Sequence, residues 1–271
     1  MVQKKPPQVT HDQRTGSREA ASRSGALVPR SAARHGFTRI VSEAPFTMCA
    51  RYTLRTRRVQ LEALFGHLDA DLQPRFNIAP SQPVLAYRPD AEGKPHGAML
   101  RWGLIPSWAQ DEKISHKLIN ARSETIAEKP SFRSAVNHRR RCLLPADGFY
   151  EWRTIGKKKQ PLHITRPDGE PFAFAGLWET WDGPAGEVES CTILTTAANP
   201  FMAGLHDRMP VIFTGADEFE RWLNDEVIDD LLRPLPDGML AMREVNDIVN
   251  NPRHEDPRCV EPLSGEPSLF D

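Results

Sequence analysis

From Met48 onward, short apolar runs alternate with turn residues, and the runs at 84–87, 98–105, 141–152, 162–165, 172–181, 189–196 and 209–213 read as strands. Helical spacing falls between them at 57–64, 131–140, 200–205 and 218–223, where Phe219, Trp222 and Leu223 share one face. Strands outnumber helices and follow one another without a fixed repeat, which predicts one α+β domain with a mainly antiparallel sheet over 48–262. Residues 1–47 show neither period, hold few large apolar side chains and contain Pro6-Pro7, which predicts a disordered N-terminal extension. Residues 263–271 read as a loose tail.

Charge sharpens that division. The net charge of the 271-residue chain is -1. Eight Lys or Arg against three acids give residues 1–47 a balance of +5, so the remainder sums to -6. Such an arm is open to three readings: a start codon assigned too far upstream, a native flexible arm, or a transit-like peptide. Met48, standing directly before the segment that begins to look folded, favours the first.

Hydrophobic residues make up 39% of the chain, ordinary globular usage, and no apolar run is long enough to span a membrane as a helix. A soluble, cytoplasmic, monomeric protein is expected. The four cysteines Cys49, Cys142, Cys191 and Cys259 form no CxxC pair and have no zinc-like His spacing, so free thiols and no metal or cofactor are expected.

Several polar residues interrupt the strand pattern. Glu151 lies between Tyr150 and Trp152, where desolvation would raise its pKa toward a value suited to proton transfer; the bland alternative is an outward-facing strand residue. His206, Asp207 and Arg208 place a titratable ring, a carboxylate and an anion-binding fork in consecutive positions, unless they are only a charged turn. Asn120, Arg122 and Glu124 share a face if their segment is extended, the alternative being a helix start capped by Ser123. Around Trp102 and Trp108, aromatic and basic groups interleave in RWGLIPSW, a pattern that suits stacking on bases as well as ordinary core packing. The runs Arg139-Arg140-Arg141 and Lys157-Lys158-Lys159 are most simply solvated faces.

Taken together, MCARY (48–52), NIAPSQ (77–82), RWGLIPSW (101–108), NARSET (120–125), CLLPADGFYEW (142–152), AGLWE (175–179), TTAAN (195–199) and LHDRMPVIF (205–213) resemble the SOS response-associated peptidase family of abasic-site sensors. The resemblance implies twisted, mainly antiparallel sheets forming a barrel-like core flanked by helices. It also implies a cleft for single-stranded DNA containing abasic sites, in a protein that associates with the nucleoid on damage. Carried over residue by residue, Cys49 is the nucleophile, Asn120 orients it, Glu151 is the acid/base and His206 assists. Arg51, Arg122 and Arg208 contact phosphates, while Trp102 and Trp108 line the cleft. In that family the reactive Cys follows the initiator Met, whereas here Cys49 has 48 residues ahead of it. Two other functions use overlapping residues: a cysteine peptidase or N-terminal-nucleophile hydrolase, and a non-covalent single-strand binder.

Overall fold

The computed structural model describes residues 48–263; the expectations for residues 1–47 and for most of the tail lie outside the described residues. Two sheets share one hydrophobic core. The smaller is antiparallel throughout, in the order Ala241–Glu244, Lys158–Thr165, Gly148–Ile155, Tyr52–Leu54, Arg75–Ile78. The larger is built on the long hairpin Phe172–Gly183 and Gly186–Ala197, with Arg141–Ala146, Pro83–Pro89, Pro95–Trp102 and His67–Leu68 beyond it on one side and Arg208–Pro210 on the other. Tyr52, Phe149 and Ile164 from the first sheet join Leu85, Leu100 and Phe174 from the second in one buried cluster. That is the mainly antiparallel α+β domain the patterning predicts and the barrel-like core the family resemblance implies, with helices Arg58–Phe65, Pro130–Asn137, Pro200–Ala203 and Ala216–Asn224 packed around it.

The apolar run 141–152 is two strands instead of one. Residues Arg141–Ala146 pair with Phe172–Gly183 in the large sheet, and Gly148–Ile155 pairs with Tyr52–Leu54 in the small one. Asp147 makes the crossing. Its carboxylate accepts hydrogen bonds from Thr53 Oγ1 at 2.7 Å, from Thr56 N at 2.9 Å and from Arg55 N, satisfying the amides where the first strand ends. Gly148 follows because a Cβ at that position would overlap the His163 ring.

Among the described residues no helix is long and apolar enough to cross a membrane, and no group of His, Cys, Asp or Glu could hold a metal ion. All four cysteines are free and buried.

Candidate functional site

The sheet crossing at Asp147 decides where Glu151 goes. Tyr150 N donates to Arg51 O at 3.0 Å, which lays the start of the strand Gly148–Ile155 along the segment leading out of Cys49. The Cys49 backbone N–H then donates to Glu151 Oε1 at 2.6 Å. Glu151 is 93% buried, and burial raises its pKa to about 7 against the opposing hydrogen bonds from Cys49 N and Trp152 N. The bland reading of an outward strand residue does not hold.

The other side of the same peptide bond is held as firmly. Asn120 Nδ2 donates to the carbonyl oxygen of Met48. Asn120 reaches it from the short strand Asn120–Arg122, which runs parallel to Gly186–Ala197 with Asn120 opposite Ile193 and Arg122 opposite Thr195. The Met48–Cys49 bond is therefore gripped at its oxygen by an amide and at its nitrogen by a carboxyl. Cys49 has φ of 47°, a left-handed conformation for a residue with a Cβ, which costs of order 1–3 kcal/mol and persists only where its surroundings impose it. Burial, and then the charge of Glu151, push its thiol pKa well above the ordinary value.

Met48 also lines a cavity of about 400 Å³ together with Asn120, Ala121, Arg122, Thr195, His206, Asp207 and Arg208. Elements distant in sequence meet here because Gly186–Ala197 pairs on one edge with Asn120–Arg122 and on the other with Arg208–Pro210. His206 Nδ1 lies 3.1 Å from the Arg208 backbone N–H, which donates to it when that nitrogen is unprotonated, and 2.8 Å from Asp207 Oδ1, which pairs with it when it carries a proton. A smaller cavity of about 260 Å³ shares Asn120, Ala121 and Arg122, and adds Lys117 and Lys129 above Leu118 and Phe132. The two cavities share the strand Asn120–Arg122, and Arg122, Arg208, Lys117 and Lys129 stand in their linings with one acid, Asp207.

Four predicted residues, Asn120, Arg122, His206 and Arg208, line the first cavity, and Glu151 meets Cys49 behind Met48. Arg51 does not join them. Its guanidinium donates to Asn77 Oδ1 at 2.9 Å and to Val249 O at 2.8 Å, so it ties the C-terminal segment to the small sheet. Trp102 is a correction: it is fully buried, stacks edge-on with Tyr52 and donates Nε1–H to Ile119 O at 2.9 Å, leaving no face for a base. Trp108 is exposed, yet lines neither cavity and donates to Pro130 O at 3.3 Å. Glu124 does not continue the extended face of Asn120 and Arg122, because the chain turns into a 3-10 turn over Ser123–Thr125, without a side-chain cap. Its carboxylate reaches Arg208 instead, at 3.2 and 2.8 Å. Sequence reasoning gave no role to Thr195, which fixes Arg208 through its hydroxyl and carbonyl, or to Met48 as a wall of the cavity; the TTAAN and MCARY motifs were the available signals.

Fold and site define a class: an α+β protein with a buried cysteine whose amide and preceding carbonyl are each held by a polar side chain from a distant strand, beside a cavity lined by Arg122 and Arg208. The chain belongs to the SOS response associated peptidase (SRAP) family, whose sequence model matches residues 48–252. It is 42% identical over 225 residues to the abasic site processing protein YoqW of Bacillus subtilis, covering 79% of this chain and 99% of that one. It is 32% identical over 220 residues to the abasic site processing protein HMCES of Xenopus tropicalis, covering 69% and 66%. A Bacteroides thetaiotaomicron protein of known crystal structure is similar with a TM-score of 0.71 at 27% identity, over 79% of this chain and all of that one.

Proposed function

We propose that this protein processes abasic sites in single-stranded DNA by forming a covalent link through Cys49 once its α-amine is free. The carrying observation is the 2.6 Å contact between Cys49 N and the Glu151 carboxyl, at the edge of a cavity lined by Arg122 and Arg208. The names of the relatives, abasic site processing proteins in Bacillus subtilis and Xenopus tropicalis, support the same reading.

The chemistry requires that geometry. A ring-opened abasic sugar presents an aldehyde at C1', and a neutral amine attacks it to give a carbinolamine that loses water to an imine. An α-amine with pKa near 7.8 is roughly a quarter neutral at physiological pH, whereas a lysine near 10.4 is neutral about one part in a thousand. Loss of water needs a proton delivered to the carbinolamine hydroxyl, on the carbon bonded to the nitrogen that Glu151 faces, while the nitrogen gives up its own proton to form the C=N bond. The thiol on the adjacent carbon then adds to the imine and closes a five-membered thiazolidine. Only a cysteine with a free α-amine carries both groups in that relation. A Cys49 still joined to Met48 has an amide nitrogen, whose lone pair is delocalised into the carbonyl and forms no imine.

A second activity follows from the same contacts, hydrolysis of the Met48–Cys49 bond. Asn120 supports the Met48 carbonyl oxygen where negative charge develops as the Cys49 thiol attacks that carbonyl carbon; the C–N bond breaks, the thiol proton passes by way of the facing Glu151 carboxyl to the departing nitrogen, and water then hydrolyses the thioester to free the thiol and the Met48 carboxylate. Limited self-cleavage would generate the amine that the crosslink needs.

The test compares the full chain, a form beginning at Cys49 and its Cys49→Ser variant, each with its terminus verified by mass spectrometry, against abasic single-stranded DNA on a denaturing gel. The short form is expected to give a stable adduct. The Ser variant, closing only to a less stable oxazolidine, gives a labile one, and the full chain gives none unless it is first cleaved. A stable adduct from intact full-length protein would overturn the α-amine mechanism, and binding without any adduct would favour a non-covalent binder.

A further inference from the structure

Arg208 reaches the cavity already occupied. A guanidinium has five N–H donors. In Arg208, Nε–H donates to Thr195 Oγ1 at 3.2 Å, Nη1 to Glu124 Oε1 at 3.2 Å, and Nη2 to Glu124 Oε2 at 2.8 Å and to Thr195 O at 2.6 Å. Only one Nη1 hydrogen is left for a phosphate, and the charge of Arg208 is already compensated by a two-pronged carboxylate, which presents oxygens much as a phosphodiester does.

The two partners differ in freedom. The Arg208 side chain is 16% exposed and anchored on the strand Gly186–Ala197 through Thr195, so it stays in place without Glu124. The Glu124 side chain is 48% exposed, at a one-turn 3-10 segment, and can swing into solvent. Partial burial opposes its ionisation, but the hydrogen bond from Arg208 holds it below the ordinary carboxylate range, so it is charged at neutral pH. Next to it Arg122 is exposed and, among the described residues, in no ion pair.

We propose that Glu124 is a built-in competitor of the DNA backbone, a carboxylate that holds Arg208 until a phosphodiester displaces it and thereby keeps affinity for undamaged single strands low. This inference rests on the proposed function. Each passing strand must break the Glu124–Arg208 pair to gain one phosphate contact, so in the parent only a fraction of the bound molecules make it. Retention then depends on the covalent step, which only an abasic site supports.

The probe is an undamaged fluorescent single-stranded oligonucleotide, its binding to the full chain followed by anisotropy across a salt series. The proteins compared are the parent, Glu124→Gln, Arg208→Gln and the double variant. Glu124→Gln is expected to bind about three- to tenfold more tightly at low salt, with a steeper salt dependence approaching one further phosphate, a change in log–log slope of about 0.7 for a single strand. In the Arg208→Gln background the gain should vanish, because the competitor acts only through Arg208. A merely structural Glu124 would lower the thermal midpoint and leave the salt slope alone. Unchanged or weaker binding by Glu124→Gln at an unchanged thermal midpoint overturns the inference, as does a gain that persists without Arg208. A parallel denaturing gel of the Cys49-initiated parent with abasic DNA reports separately on the proposed function, since adduct formation there does not depend on which way Glu124→Gln moves.

Discussion

Glu151 carries a consequence that can be read from stability alone. Its carboxyl titrates near 7 in the folded chain and near 4.5 when ordinary, so between those values the folded state binds the extra proton. The stabilising contribution is therefore complete below about pH 4.5 and is lost as pH rises through 7, amounting to about 3 kcal/mol. Denaturant unfolding of the full chain at pH 5 and pH 8 should show that loss, and Glu151→Gln should remove it; an equal slope in both proteins would place the titration elsewhere. In the Cys49-initiated form the same substitution should slow adduct formation by about 10²–10⁴-fold while leaving strand affinity nearly unchanged, because an amide cannot supply the proton. Asn120→Ala takes the donor from the Met48 carbonyl, so cleavage of the Met48–Cys49 bond, followed by intact mass, should slow by about 10²–10³-fold. Glu151 and Asn120 were legible in the sequence because each puts a polar group where apolar alternation would have another residue. Trp102 misled because a tryptophan beside an arginine has no address until the strand's faces are known: the pleat of Pro95–Trp102 turns Trp102 into the core and leaves Arg101 only partly covered.

The long strands announce themselves in the sequence, since each holds a continuous apolar stretch, and the helices begin and end within a few residues of their apolar periods. The short strands Tyr52–Leu54, Arg75–Ile78, Asn120–Arg122 and Ala241–Glu244 do not. Three or four residues cannot show a period, and these segments are extended because neighbouring strands pair with them. The strand that carries Asn120 is one of these, so its residues were legible but their neighbours across the sheet were not. The crossing at Asp147 is hidden for another reason: the apolar run continues straight through it, and only the side chain's hydrogen bonds with residues 53–56 reveal the change of sheet. Gly148→Ala would force a methyl group against the His163 ring and is expected to destabilise the fold by about 2–3 kcal/mol, measured as a lower denaturant midpoint. Glu151 should lose its contact with Cys49 in proportion, so the variant's adduct yield should fall together with its stability.

At the scale of the whole molecule, charge is distributed against expectation for a DNA-binding protein. Residues 48–271 sum to -6, and of the three arginines assigned to phosphates, Arg51 is spent on Asn77 and Val249, Arg208 is shared with Glu124, and Arg122 is exposed. The strongest excess of positive charge lies in residues 1–47, at +5. Removing those residues is accordingly expected to weaken binding to undamaged single strands and to flatten its salt dependence, while enabling the covalent reaction. Anisotropy titrations of the full chain and the Cys49-initiated form at two salt concentrations check this, and equal slopes would show that the arm takes no part. The site itself could not be assembled from the sequence by spacing, because Asn120 and His206 meet Met48 in one cavity, and Glu151 meets Cys49 beside it, from segments far apart in the chain.

Met48 lines the cavity with its carbonyl held by Asn120, so the peptide bond that joins any N-terminal addition to Cys49 lies at the cavity wall. An affinity tag or fluorescent fusion placed at the N-terminus therefore hangs from the reactive centre. On the proposed mechanism such a fusion doubles as a maturation reporter: its release by cleavage of the Met48–Cys49 bond exposes the cysteine amine, and its retention marks protein not yet able to crosslink. Handles for purification belong at the C-terminus.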